Sequence, residues 1–142
     1  MSVKPPATYQ GGKQRLAEEI VGIILAESPH RELHHMFADL CCGSGAIAIG
    51  ARLAGVPAHY ITMIDIGPWG SVWERVGRGK FSLETLRRIA AAMPREPERQ
   101  ADFLRELLQQ PTHIYHAETF LILQAGSFGG AAIDDTGGKW KG

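Results

Sequence analysis

The chain has 142 residues, is 44% hydrophobic and balances 15 Lys+Arg against 15 Asp+Glu. That composition suits one ordinary globular domain and excludes a strongly basic nucleic-acid-coating protein. It holds no apolar run near the roughly 18 residues of a membrane span, and no apolar stretch follows Met1 to Pro6 as it would in a signal peptide.

Lys4 to Lys13 reads as an irregular loop broken by Pro5-Pro6 and Gly11-Gly12. Leu16, Ile20, Ile23 and Ile24 recur at helical spacing, which predicts an amphipathic helix over 14–27, closed by Pro29. Met36 to Cys41 is a short apolar run and predicts a buried strand. Gly43-Ser44-Gly45 is a tight turn, and Ala46 to Ala54 predicts a helix closed near Gly55. The β-branched run Tyr60 to Ile64 predicts a second buried strand ending at Asp65. Strand, turn, helix and strand together make the opening of a parallel α/β sheet.

The character changes after Asp65. Pro68 can open a short helix through Trp69, Val72, Trp73 and Val76. Ser82 stands at the N-cap position before the stripe Leu83, Leu86, Ala90 and Met93. Residues 98–110 predict another helix, with Phe103, Leu104, Leu107 and Leu108 on one face. Residues 113–124 suit helix or strand, with helix preferred. From Gly126 on, glycines and charges dominate. The zero net charge also hides a gradient: residues 75–110 carry eight Lys/Arg against five Asp/Glu, whereas residues 1–74 carry five against seven.

The sharpest chemical signal is Asp39-Leu40-Cys41-Cys42-Gly43-Ser44-Gly45-Ala46, where a strand becomes a helix. Glycines there let a ligand approach the backbone, and the helix N-terminus favours anionic groups. Asp65, 20 residues after Gly45, ends the next strand, where a carboxylate can accept from ribose hydroxyls. Gly43 to Ala48 also fits the dinucleotide fingerprint with Ala in its last position. Asp39 decides between the cofactors. A carboxylate four residues before Gly43 repels a pyrophosphate and suits a sulfonium or amine. S-adenosylmethionine therefore fits better than NAD, which stays as the alternative.

These stretches make the chain similar to the N-terminal part of the Dam-like DNA adenine methyltransferases, especially their phage and prophage members. Lys4 to Lys13 resembles the family's Pro-Pro…Gly-Gly-Lys loop, and the resemblance implies that Tyr9, Gly12 and Lys13 lie against the cofactor. Phe37 to Ala46 stands at the place of the family's glycine-rich motif, with Asp-Leu-Cys-Cys where Glu-Pro-Phe is commoner; Asp39, Gly43, Gly45 and Asp65 complete the implied cofactor set. Phe120 to Gly130 resembles a stretch late in the family's target-recognition region. The implied fold is α/β: an incomplete Rossmann-like methyltransferase fold in residues 1–69, a helical recognition-like insertion over 70–132 and a polar tail over 133–142. The implied partner is double-stranded DNA, with Arg75, Arg78, Lys80, Arg87 and Arg88 the candidate phosphate contacts.

The departures are equally specific. Asp65 is followed by Ile66-Gly67-Pro68 and not by an acidic-amide pair. The family's base-holding Asp-Pro-Pro-Tyr is missing, and the chain contains no Asn from which a variant could be built. The expectation is an N-terminal portion or truncated form, inactive alone, whose catalytic motif comes from a second chain or a missing C-terminal region. A non-catalytic S-adenosylmethionine-binding module and an NAD-binding oxidoreductase fragment are the alternatives.

Other residues carry weaker signals. His30, His34 and His35, and His113 and His116, do not supply a converging zinc set, so no metal is expected. Cys41 and Cys42, adjacent in a cofactor turn, read as small packing side chains in a reduced, cytoplasmic setting rather than as a nucleophile or a disulfide. Trp69 and Trp73 read as core before stacking platforms.

Overall fold

The structure, a computed structural model, describes residues 6, 12–28, 36–109 and 117–127. These divide into two compact units, one holding the described residues up to Gly70 and the other those from Ser71 on.

The first unit begins with α1 (Ala17–Glu27), which packs on α2 (Ala46–Leu53). The contact is close because Gly50 offers no side chain: a Cβ there would lie 3.3 Å from Ala17 Cβ and 3.4 Å from Val21 Cγ2. Between the helices in sequence comes β1 (Phe37–Asp39), which pairs in parallel with β2 (Ile61–Met63), Phe37 opposite Ile61 and Asp39 opposite Met63. Val21, Ala51 and Val56 form the core, with Leu25, Phe37, Ile47, Tyr60 and Ile61 packed around them.

Both strands are shorter than their apolar runs. Cys41 lies in the turn, and Ala58–Tyr60 forms one 3-10 turn ahead of β2. The ladder nevertheless continues past the strand ends: the Ile64 amide donates to the Asp39 carbonyl (2.8 Å) and the Cys42 amide to the Ile64 carbonyl (2.9 Å). Met36, Leu40, Ile64 and Ile66 are exposed, Ile66 completely. Parallel sheets are ordinarily covered on both faces, and two strands alone are marginal in water.

The second unit is helical. It continues α3 (Pro68–Gly77) and adds α4 (Leu83–Ala92), α5 (Pro97–Leu108) and α6 (Ala117–Gly126). Ser82 caps α4, its hydroxyl accepting from the Thr85 amide at 3.0 Å. Helix α6 is the centre. Its residues from Ala117 to Leu121, with Leu123 and Gln124, are buried, and α4 and α5 both pack on it. Leu104, Leu107 and Leu123 form the core there, joined by Ile89, Met93, Phe103, Leu108 and Ile122. Burial of nearly every residue from Ala117 to Gln124 explains why that part of the stretch lacks a clear apolar stripe: a helix with so little exposed surface has no polar face to set a period. Its helical part starts at Ala117 and reaches Gly126.

One position near the start of α3 is unusually tight. A Cβ at Gly70 would stand 2.5 Å from the carbonyl oxygen of Asp65, a backbone atom that cannot swing aside. Gly70→Ala is therefore expected to destabilise the first unit by about 2–3 kcal/mol, in the range of overpacking effects, as read by urea unfolding. A loss below about 0.5 kcal/mol, ordinary for a surface position, would contradict that close approach.

Candidate cofactor site

The strongest constellation lies at the carboxyl ends of the two parallel strands, the place where open α/β sheets bind ligands. Asp39 ends β1, and the chain then turns through Cys42, Gly43, Ser44 and Gly45, all four buried, into α2. Gly43 has φ 47° and Gly45 φ 83°, both in the left-handed region that favours glycine. The Gly45 amide donates to the Cys42 carbonyl at 2.7 Å, which closes the turn. Gly45 is also the N-cap of α2, whose first turn carries no acidic residue, so the positive end of the helix is not neutralised by its own side chains.

Asp65 reaches this turn from the end of β2. Its Oδ2 accepts from the Gly43 amide at 2.8 Å and its Oδ1 from the Gly67 amide at 2.8 Å. The second bond is an Asx turn, a geometry that Asp followed two residues on by Gly adopts readily.

Asp39 is the electrostatically costly member. It is half-buried, and its Oδ2 is buried without a hydrogen-bond partner. Burial pushes its carboxyl above the ordinary value; the backbone amides of Cys41 and Ala48 pull the other way, and the charge of Asp65 pushes up further. A buried carboxylate oxygen with no partner costs free energy until a donor or cation reaches it. Beside it, burial first and the two carboxylates second push the Cys42 thiol up to about 12. That thiol stays protonated at neutral pH and is no nucleophile, while Cys41 is exposed.

The other sequence candidates are placed as follows. Gly12 and Lys13 are exposed and lead into α1, the Lys13 carbonyl accepting from the Leu16 amide at 2.9 Å. Tyr9, the His30–His35 and His113–His116 clusters, and Phe128 to Gly130 lie outside the described residues. Trp69 is buried, 3% exposed, and Trp73 half-buried. Among the described residues no three His, Cys, Asp or Glu side chains are grouped to hold a metal ion, and no helix is long and apolar enough to cross a membrane.

In the second unit the basic residues differ from one another. Arg75 is tied down: its guanidinium donates to the Lys80 carbonyl at 2.9 Å and lies 3.6 Å from Glu118. Arg78 makes an exposed pair with Glu74 at 2.8 Å. Lys80, Arg87 and Arg88 are exposed. Sequence reasoning missed Glu118, a carboxylate buried to 2% exposure, whose Oε1 accepts from the Ser82 amide at 2.6 Å. The available signal was a lone acid at the head of an otherwise apolar helix. Comparison with protein-family models, with curated proteins and with solved structures finds no match to this chain.

Proposed function

We propose that the chain is the cofactor-binding and target-recognition portion of an S-adenosylmethionine-dependent DNA adenine methyltransferase, inactive in methyl transfer by itself. The observation that carries this reading is the partnerless buried oxygen of Asp39 beside a turn of two left-handed glycines. That site suits a ligand bearing a positive charge next to a backbone it must approach closely, and S-adenosylmethionine has that chemistry. When bound, it supplies an electrophilic methyl group on a sulfonium.

Asp39 would face the cationic part of the cofactor. Gly43 and Gly45 would keep the turn open to it, and Asp65 would act at the same turn. Gly12 and Lys13 would contribute from the segment ahead of α1. The NAD alternative is disfavoured by the same carboxylate, which repels a pyrophosphate at that turn. The exposed apolar residues Met36, Leu40, Ile64 and Ile66 favour a sheet completed by further polypeptide. That polypeptide would also bring the base-holding motif, which keeps the exocyclic amine of a flipped adenine aimed at the methyl group.

The first test is a methyl-transfer assay on unmethylated DNA. The 142-residue chain alone should give no turnover, and clear turnover would overturn the division of labour. The coding sequence after Gly142 offers a second test. An in-frame continuation containing Asp-Pro-Pro-Tyr supports the reading, and a stop codon there moves the search to a second chain.

DNA contact is assigned to the exposed cations of the second unit. Replacing Arg87 and Arg88 together by Ala should weaken duplex binding in a fluorescence-anisotropy titration. The slope of log affinity against log salt should fall by about 2, one unit for each lost phosphate contact. An unchanged slope would remove these residues from the interface.

A further inference from the structure

We propose that Asp65 is a positioning residue, holding the glycine turn in shape through the Gly43 amide rather than binding a ribose itself. The proposal deepens the nucleoside-cofactor reading and rests on it only for its ligand part. A strand-end carboxylate clasps two hydroxyls with its two oxygens. Here both oxygens already accept backbone amides at 2.8 Å, one from the turn and one from the chain leading into α3. These are charge-assisted bonds of normal length.

The carboxylate is also boxed in from behind. Gly67 passes so near that a Cβ would lie 3.1 Å from Oδ1, and Gly70 so near that a Cβ would lie 2.5 Å from the Asp65 carbonyl. Its direction is thus set by the Gly43 and Gly67 amides on its two oxygens, before any ligand arrives. A ribose contact that required the carboxylate to rotate would break the bond to Gly43. Glycine at φ 47° has many other conformations open to it, and a fixed acceptor on its amide selects this one. Asp65 therefore converts a loose Gly-Ser-Gly segment into a preformed cradle, a form of preorganisation that lowers the cost of binding.

Two measurements test this, the first without any ligand. Amide hydrogen exchange should find Gly43 and Gly67 protected in the wild-type chain, and Gly43 exchange at least tenfold faster in Asp65→Asn. A Gly43 amide as fast as in an unstructured peptide overturns the proposal without any variant, as does unchanged protection in a folded Asp65→Asn chain.

The second is calorimetry with S-adenosylmethionine and with its analogue lacking both ribose hydroxyls. A positioning role predicts that Asp65→Asn loses the same factor in affinity for both ligands. A loss confined to the hydroxylated ligand overturns the proposal in favour of direct ribose contact. If the wild-type chain binds neither ligand, the nucleoside reading fails, and the exchange data decide by themselves whether Asp65 holds the turn.

Discussion

Replacing Glu118 by Ala is expected to destabilise the helical unit by about 2 kcal/mol, the scale seen when a hydrogen-bond partner is removed and a part-buried donor is left unsatisfied. Glu118 is 2% exposed, accepts from the Ser82 amide at 2.6 Å and lies 3.6 Å from the Arg75 guanidinium. Its removal takes the acceptor from the residue that caps α4 and the counter-charge from Arg75, whose Nε is already buried without a partner. Arg75 in turn holds the Lys80 carbonyl, so the 78–82 segment between α3 and α4 depends on this one carboxylate. Glu118→Gln keeps the shape and an acceptor but not the charge, and should cost about 1 kcal/mol, the net worth of a typical hydrogen bond.

The pH dependence follows from the direction of the Glu118 shift. Burial alone would raise its carboxyl; the Ser82 amide, its own backbone amide and the charge of Arg75 outweigh burial and hold it below the ordinary 4.5. A carboxylate with a lowered folded pKa contributes stability that is complete above its unfolded value and lost as pH falls through the folded one. Urea midpoints of wild type and Glu118→Gln should therefore differ at neutral pH and converge as pH falls below the ordinary 4.5 and through the lower folded value. A Glu118→Ala chain within about 0.5 kcal/mol of wild type at neutral pH, the usual surface range, would show that the cluster holds nothing.

The second large effect is at Asp39, where stability and binding should move apart. Burial raises the Asp39 carboxyl, so the fold disfavours its charged form, and its contribution to stability falls as pH rises through the folded pKa. Asp39→Asn should consequently leave the chain as stable as wild type or slightly more so at neutral pH. The same variant should bind S-adenosylmethionine at least tenfold more weakly, about 1.4 kcal/mol. Wild-type affinity should rise with pH as Asp39 ionises, and that rise should vanish in Asp39→Asn. Loss of stability and affinity together would instead mark Asp39 as a plain structural carboxylate.

The local elements were largely legible in the sequence. Helical spacing located α1, α4 and α5, Ser82 marked the start of α4, and the two apolar runs located the strands. The strand ends were not legible, because pairing extends only as far as the partner does: Cys41 is apolar enough for a strand but has already entered the turn. Helix α6 was ambiguous because most of its residues, polar Glu118, Thr119 and Gln124 among them, are buried, which blurs its period.

In the site, Asp39, Gly43, Gly45 and Asp65 are brought together by the β1–α2–β2 connection. What the sequence could not show is the direction of the Asp65 carboxylate. That depends on the Gly43 amide, 22 residues earlier in the chain, which only the packed turn brings to it. Nor could it separate Arg75, tied to Glu118 and Lys80, from Arg87 and Arg88, since all three are arginines in helices of mixed charge.

The most direct measurement is a calorimetric titration of the wild-type chain and Asp39→Asn with S-adenosylmethionine, and of the wild type with NAD, at neutral pH. The expected result is single-site binding of S-adenosylmethionine by the wild type, at least tenfold weaker in a folded Asp39→Asn chain, and no binding of NAD. Binding of NAD, or S-adenosylmethionine binding that ignores the loss of the Asp39 charge, would contradict the assignment of this turn.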